Sequence, residues 1–206
     1  MNIELLKTFD EEGQFLGIAP REEVHSKGLW YETFHCWFIS KSNDRSFIHF
    51  QIRSKNKKDY PNKLDISSAG HLLSNERIED GIREVHEELG VNVLLDDLIY
   101  VGKIPDKIIE QNIIDKEYGH VYLYFLPDNA RTDYKFEDGE VSGIVRIELE
   151  LFERLWFNNL KNVRAYSLTV DDDNKMQEKN TLVVKSDFLP HADSYIHTVL
   201  QRIKNI

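Results

Sequence analysis

Apolar and polar side chains recur at two different periods along this chain, and the period separates strands from helices. In 46–53 they alternate with a period of two, which predicts a strand. In 78–89 apolar residues recur every three or four positions, which predicts an amphipathic helix. Gly90 follows the last apolar position and is expected to end this helix. The buried stripe of the helix is then Ile78, Ile82, Val85 and Leu89.

The same patterns predict the remaining elements. Strands are expected at 3–9, 14–18, 33–39, 98–103, 120–126, 141–148, 166–170 and 181–184. Helices are expected at 149–157 and around 187–203, with a short helical turn after Pro20. The segment 105–119 is expected to be a long loop with some helix, and a charged turn is expected at 171–175.

Composition and charge narrow the classes of function. The chain has 206 residues and a net charge of -10, which argues against broad binding of nucleic-acid polymers. No run approaches the ~20 apolar residues of a membrane span. The single cysteine, Cys36, allows no internal disulfide, and the first residues do not resemble a signal peptide. We therefore expect a cytoplasmic protein that does not associate with membranes.

Three carboxylates share one patch of the predicted helix. Residues three or four apart are neighbours on a helix, so Glu84 lies next to both Glu87 and Glu88. Like charges at this spacing repel one another, and a divalent cation would neutralise them. Oxygen ligands suit Mg²⁺ or Mn²⁺. The alternative is a solvated acidic face with no bound ion.

The stretch from Gly70 to Val91 resembles the Nudix box, G-x5-E-x7-R-E-U-x-E-E-x-G-U, where U is aliphatic. Its first half is matched by Gly70 and Glu76, and its second half by Arg83, Glu84, Val85, Glu87, Glu88, Gly90 and Val91. The chain departs from the motif between Glu76 and Arg83, where six residues replace seven. The helical phase of Glu84, Glu87 and Glu88 is unaffected by this shorter spacing.

The resemblance covers roughly 30–160 and implies an α+β fold, the Nudix α/β/α sandwich with a mixed central sheet. Residues 1–29 would then be an N-terminal β-hairpin extension, and 161–206 a C-terminal strand and helix extension packed on the core. The implied activity is hydrolysis of a small-molecule diphosphate, such as a nucleoside diphosphate linked to another group, by water attack at phosphorus. The implied cofactor is Mg²⁺ or Mn²⁺, and a homodimer is the implied assembly.

The resemblance also implies roles for the box residues. The metal ligands would be Glu84, Glu87 and Glu88, and Gly70 would offer its backbone where a side chain would collide. Either Glu87 or Glu88 would orient or deprotonate the water. Arg83 would hold a box glutamate in place through its bidentate guanidinium.

Residues outside the box are candidates for binding the substrate. Arg53 occupies a position where such enzymes place a substrate-contacting arginine, and it precedes a basic loop at 54–63. Glu140, before a predicted strand, is the first candidate for a further acid, and Glu117 is the second. His35 and His71 are candidates for contacting metal or substrate, although a lone histidine on a strand is more often a packed, hydrogen-bonded residue. Cys36 points to the opposite face from His35, so the two form no thiol–base dyad.

Two alternatives to hydrolysis remain at this stage. The run from Asp65 to His71 resembles the isopentenyl-diphosphate isomerase branch of the family, which carries Cys-Gly-His where this chain has Ala69-Gly70-His71. Alanine has no proton to give, so double-bond migration through that cysteine is not expected. A Nudix module that senses a nucleotide without cleaving it is the other alternative, and the intact box glutamates oppose it.

Overall fold

The elements follow the predicted order, with longer strands than the sequence patterns indicate. A computed structural model describes residues 3–110, 113–127, 134–136, 139–158, 160–170 and 175–206. The strands in these residues are β1 (Leu5–Phe9), β2 (Phe15–Pro20), β3 (Trp30–Ser42), β4 (Arg45–Arg53), β5 (Leu64–Ile66), β6 (Ser68–His71), β7 (Leu98–Glu110), β8 (Ile113–Phe125), β9 (Val141–Glu148), β10 (Val163–Val170) and β11 (Met176–Val183). The helices are α1 (Arg21–Lys27), α2 (Arg83–Leu89), α3 (Leu149–Phe157) and α4 (Asp193–Lys204).

The strands form one mixed sheet. Its main order in the described residues is β11-β10-β9-β4-β3-β1-β2, with β5 paired to β4, and β6 and β8 paired to β3. The pairing of β3 with β8 is parallel, and the pairing of β3 with β4 is antiparallel. A two-residue turn joins β3 to β4, and both Asn43 and Asp44 have positive φ there, as a tight hairpin requires. The predicted mixed sheet is confirmed.

Helices cover both faces of the sheet, and successive side chains of β3 point alternately into the two hydrophobic cores between sheet and helices. Phe34, Cys36 and Phe38 pack on the face that carries α2, whereas Trp37 and Ile39 pack on the face that carries α3 and α4. Fully burying one such side chain stabilises the fold by about 1.5–3 kcal/mol. The predicted α/β/α sandwich is confirmed, and so is the placement of Cys36 on the face opposite to His35.

The predicted loop at 105–119 is wrong, because its described residues form half of the antiparallel hairpin β7–β8. Pro105 and the charged residues around it favoured a loop in the sequence. Among the described residues β7 pairs only with β8, so it is an edge strand, and an edge strand tolerates proline.

Two predicted helices begin later than expected. The box helix starts with a 3-10 turn at Ile78–Ile82, and only Arg83–Leu89 is α-helical. The last helix starts at Asp193, not near 187, because Pro190 cannot supply the backbone donor of a helix interior. The helix predicted at 149–157 is confirmed as α3.

Both terminal segments continue the central sheet. On one side β1 pairs with β3, and on the other β10 pairs with β9. The sheet therefore crosses the predicted boundaries at 29/30 and 160/161, and the division into three segments stays a prediction. Asp138 and the turn at 171–174 lie outside the described residues. In the described part of the chain, no helix is long and apolar enough to cross a membrane.

Candidate active site

Arg83 is the centre of a hydrogen-bonded cluster at the start of α2. Its Nε donates to Glu76 Oε1 at 2.7 Å and its Nη2 to Glu76 Oε2 at 3.1 Å. Nη2 also donates to the carbonyl of His71 at 3.1 Å. The hydrogen bonds from Arg83 hold the pKa of Glu76 below its usual range. The shorter spacing between these two residues therefore does not prevent a bidentate pair, because the 3-10 turn brings them together.

The same guanidinium bridges two of the predicted metal ligands. Arg83 Nη1 donates to Glu84 Oε1 and, at 3.0 Å, to Glu87 Oε2. The side chain of Glu87 is 50% exposed, so this carboxylate is open to solvent. Arg83 is thus placed to orient both carboxylates.

Glu84 lies against the backbone of Gly70 on β6. A Cβ at Gly70 would overlap the Glu84 carboxyl group, so only glycine permits this approach. Burial raises the pKa of Glu84, although the neighbouring Arg83 opposes the shift. A side chain at Gly70 would therefore collide with a box glutamate, and the role of the Gly70 backbone at a metal site stays a prediction.

Glu88 is buried one turn further along α2. Its carboxylate accepts a hydrogen bond from the backbone N–H of Ala69 at 3.0 Å, and Gln51 Nε2 lies 3.4 Å from Oε1. Burial, followed by the charge of Glu84, raises the pKa of Glu88 to about 8. Two adjacent carboxyl groups with raised pKa values would both be stabilised as anions by a cation.

The carboxylate oxygens of the box are the type of ligand that a divalent ion such as Mg²⁺ prefers, but they do not surround one common point. In the described part of the chain, no three side chains of His, Cys, Asp or Glu are arranged to hold a metal. Glu84 and Glu87 instead share the Arg83 guanidinium. Glu84 and Glu88 meet the requirement for hard, partly desolvated oxygen ligands.

A cavity of about 620 Å³ opens beside β6. Cationic side chains from α1, the end of β4 and the loop after it line one part, and a carboxylate pair from β8 lines another. Among the described residues, none of the three box glutamates lines the cavity, but Gly70 does. The cavity and the box acids therefore meet at Gly70. The charged or titratable lining residues include Arg21, His25, Arg53, Lys57, Lys58, Asp65, Asp115, Glu117 and His191.

Three of the four predicted substrate-contacting residues line this cavity. They are Arg53, His35 and His71. His71 Nδ1 lies 3.4 Å from Glu4 Oε2, so the segment before β1 reaches this histidine. Glu140 is not among the lining residues of the described chain; its carboxylate pairs with Lys57, which does line the cavity.

His35 is buried and tightly held. Its Nε2 lies 2.9 Å from Thr33 Oγ1 and 3.0 Å from Glu117 Oε2, and its Nδ1 lies 2.8 Å from Tyr195 Oη. Glu117, the second candidate for a further acid, thus lies in the cavity wall. Tyr31 Oη lies 2.9 Å from Glu117 Oε1 and 2.7 Å from Asp115 Oδ1, so its single proton serves two carboxyl groups. Burial, together with the charge of Glu117, raises the pKa of Asp115.

A second buried network was not predicted from the sequence. Asp65 accepts a hydrogen bond from Arg53 at 2.9 Å and lies 3.0 Å from His191, which in turn lies 2.6 Å from Asp106. His191 is 126 residues from Asp65 and 85 from Asp106. No local pattern in the sequence signals a contact over such separations.

Similarity to known proteins extends over the whole chain. It is 37% identical over 203 residues to an uncharacterized Nudix hydrolase of Clostridium acetobutylicum, and the match covers 98% of each chain. It is 32% identical to Nudix hydrolase 3 of Arabidopsis thaliana over 68% of this chain and 18% of that protein. An isopentenyl-diphosphate Delta-isomerase of Mycolicibacterium vanbaalenii is 26% identical over 61% of this chain and 71% of the isomerase. No model of a protein family matches the chain.

The fold is similar to that of a solved structure. A crystal structure of a Deinococcus radiodurans protein superposes with a TM-score of 0.54 at 21% identity. The match covers 74% of this chain and 88% of that chain. At this identity the likeness concerns the fold alone.

Proposed function

This chain belongs to the Nudix hydrolase family and is a hydrolase, and from that premise we propose that it cleaves a diphosphate linkage in a small organic molecule with the help of Mg²⁺ or Mn²⁺. The observation that carries the proposal is the pair Glu84 and Glu88. Both carboxyl groups are held out of water one turn apart, and the pKa of each is raised. A bound cation would offset the cost of ionising both.

Glu84, Glu87 and Glu88 would hold the ion, with the backbone of Gly70 beside them. The ion would supply positive charge to the phosphoryl oxygens as negative charge builds on them. Arg83 orients Glu84 and Glu87 through Nη1 while its other nitrogens remain on Glu76. Glu87 is the solvent-exposed carboxylate of the three, so we assign it the role of orienting the attacking water.

The cavity would bind the substrate, including part of its diphosphate. Arg53, Lys57 and Lys58 supply positive charge at its rim, which suits a diphosphate on a chain whose net charge is -10. His35 and His71 lie in the wall beside Gly70. Glu140 would act indirectly, by pairing with Lys57.

Isomerisation of isopentenyl diphosphate is the competing reaction. Ala69 lines the cavity at the position where the isomerase branch carries cysteine, and its methyl group cannot exchange a proton. Incubation with isopentenyl diphosphate separates the two reactions. Released phosphate supports hydrolysis, whereas a new allylic isomer supports isomerisation.

Glu87→Gln tests the proposal directly. We expect this variant to lose roughly 10²- to 10³-fold in the rate of phosphate release, because the amide keeps the shape but removes the negative charge. The measurement is the formation of phosphomonoester products from a panel of organic diphosphates with Mg²⁺ and then Mn²⁺, read as inorganic phosphate after an added phosphatase has cleaved them. Glu79→Gln, an exposed glutamate of the preceding 3-10 turn, is the matched control and should retain full activity. Full activity in Glu87→Gln on a substrate that the parent cleaves would make the assignment wrong.

A further inference from the structure

Arg53 is held by a buried row of charges that includes His191 of the C-terminal segment. Its Nη1 donates to Asp65 Oδ2 at 2.9 Å and its Nη2 to the carbonyl of Asp59 at 3.0 Å. Asp65 Oδ1 lies 3.0 Å from His191 Nε2, and His191 Nδ1 lies 2.6 Å from Asp106 Oδ2. The row thus alternates in sign from Asp106 to Arg53, with His191 between the two carboxylates.

The geometry requires His191 to carry a positive charge. Both of its ring nitrogens face carboxylate oxygens, so both must donate, and only the imidazolium has two N–H donors. Burial alone would lower its pKa, but Asp106 and Asp65 together raise the pKa of His191 to about 10. His191 also lines the cavity, so the row reaches the substrate side of the fold.

Backbone N–H groups also hold the two carboxylates in place. Asp106 Oδ1 accepts from the backbone N–H of Ala192 at 2.8 Å, and Asp65 Oδ1 accepts from that of Ile66 at 2.8 Å. Each carboxylate is therefore fixed by backbone as well as by His191. A side chain fixed in this way leaves Arg53 one position relative to the cavity.

The C-terminal segment also contacts His35, a second residue that lines the cavity. Tyr195, on α4, accepts a hydrogen bond from Trp37 Nε1 at 3.1 Å. Its own hydroxyl proton is then available to His35 Nδ1, which lies 2.8 Å away. The other nitrogen of His35 faces Glu117. His191, just before α4, and Tyr195, on α4, thus each contact a residue that lines the cavity.

We propose that the C-terminal segment is part of the substrate site: His191 is a positioning residue for Arg53, acting through Asp65, and Tyr195 is a positioning residue for His35. This inference rests on the proposed function, in which Arg53 and His35 contact the diphosphate substrate. The segment that the motif leaves out would then set how tightly the site binds a diphosphate.

A double-mutant cycle on Arg53 and His191 tests the inference. The probe is the non-hydrolysable diphosphate methylenediphosphonate, and its Kd is measured by calorimetry in Mg²⁺ for the chain of residues 1–206. We expect His191→Gln to weaken binding about tenfold in the parent, because Asp65 loses the contact with His191 and no longer holds Arg53 in one position. In an Arg53→Gln background the same change should have almost no effect, since no guanidinium remains to be positioned.

The outcomes separate this inference from the proposed function. If Arg53→Gln binds the probe as tightly as the parent, the proposed role of Arg53 is wrong and the inference fails with it. If Arg53→Gln binds weakly but His191→Gln binds like the parent, only the inference fails. Equal weakening by His191→Gln in both backgrounds would indicate a general structural role and would also overturn it.

Two further variants keep the test decisive. His49→Gln removes another buried histidine, one that contacts Ser40 outside the cavity, and it should bind the probe like the parent. If His191→Gln does not fold, Asp106→Asn replaces it in the cycle, because it alters His191 without touching Arg53.

The parallel cycle combines Tyr195→Phe with His35→Gln. We expect Tyr195→Phe to weaken binding of the probe in the parent and to have almost no effect in the His35→Gln background. Additive effects of the two changes would overturn the role of Tyr195.

Discussion

At Gly70, the absence of a side chain allows the box glutamate Glu84 and the cavity to lie next to each other. The Glu84 carboxyl group occupies the space that a Cβ would need, and the backbone of Gly70 lines the cavity. The motif alone indicated a close approach at this glycine. Which residue approaches it, and that the cavity reaches it as well, depends on the pairing of β6 with β3 and the packing of α2 on β6.

Gly70→Ala should therefore destabilise the protein and reduce its activity. We expect a loss of about 1–3 kcal/mol in the free energy of unfolding, because the new methyl group must displace Glu84. Denaturant titration measures the loss, and phosphate release measures the effect on activity. Gly17→Ala is the control, since nothing lies within 4 Å of its Cβ position. Equal stability of the two variants would show that Glu84 moves away without cost.

At the scale of elements, the stability of the box helix α2 depends on the contacts of Arg83, because the helix is too short to be stable alone. The α-helical part spans only seven residues, Arg83–Leu89, and isolated helices that short are not stable in water. Val85 and Leu89 bury its apolar stripe, and Arg83 joins it to Glu76 and to the carbonyl of His71. The 3-10 turn before α2 lies in the stretch that is one residue shorter than in the usual motif, and Arg83 still reaches Glu76 across it.

Arg83→Lys should weaken this attachment. Lysine cannot reproduce the bidentate contact with Glu76, so we expect a loss of about 1–2 kcal/mol in the free energy of unfolding. The shift of the denaturation midpoint in urea measures it. Arg77→Lys is a matched control, because Arg77 is largely exposed and its nearest ion pair is 3.9 Å long. A midpoint equal to that of the parent would mean that α2 is held by its apolar face alone.

At the scale of the whole molecule, the terminal segments belong to the central sheet and to the walls of the cavity. Glu4, before β1, pairs with His71, while His191 and Tyr195 contact cavity residues from the other end of the chain. We therefore propose that 1–29 and 161–206 shape the site and are not independent units. The homodimer implied by the family resemblance stays a prediction.

The buried charge of His191 should make the stability of the whole molecule depend on pH. Its pKa is raised from 6.5 to about 10, so its contribution is fully present below pH 6.5 and is lost as the pH rises through about 10. We expect the parent to lose on the order of a few kcal/mol between pH 7 and pH 10 beyond what His191→Gln loses. Urea titrations of both proteins across this range measure the difference. Parallel pH profiles would contradict the pairing of His191 with Asp65 and Asp106.

The sequence by itself determined the order of most elements, the box and its three glutamates, because periodicity and motif spacing are local. It also determined that Cys36 and His35 face opposite sides of one strand. Only the tertiary structure decided that β7 and β8 form a hairpin, that Glu88 is buried against Ala69, and that Asp65 meets His191. The contacts of Glu88 with Ala69 and of Asp65 with His191 join residues 19 and 126 positions apart, so no short stretch of residues encodes them. The hairpin is local, but Pro105 and the charged residues around it favour a loop when only the sequence is considered.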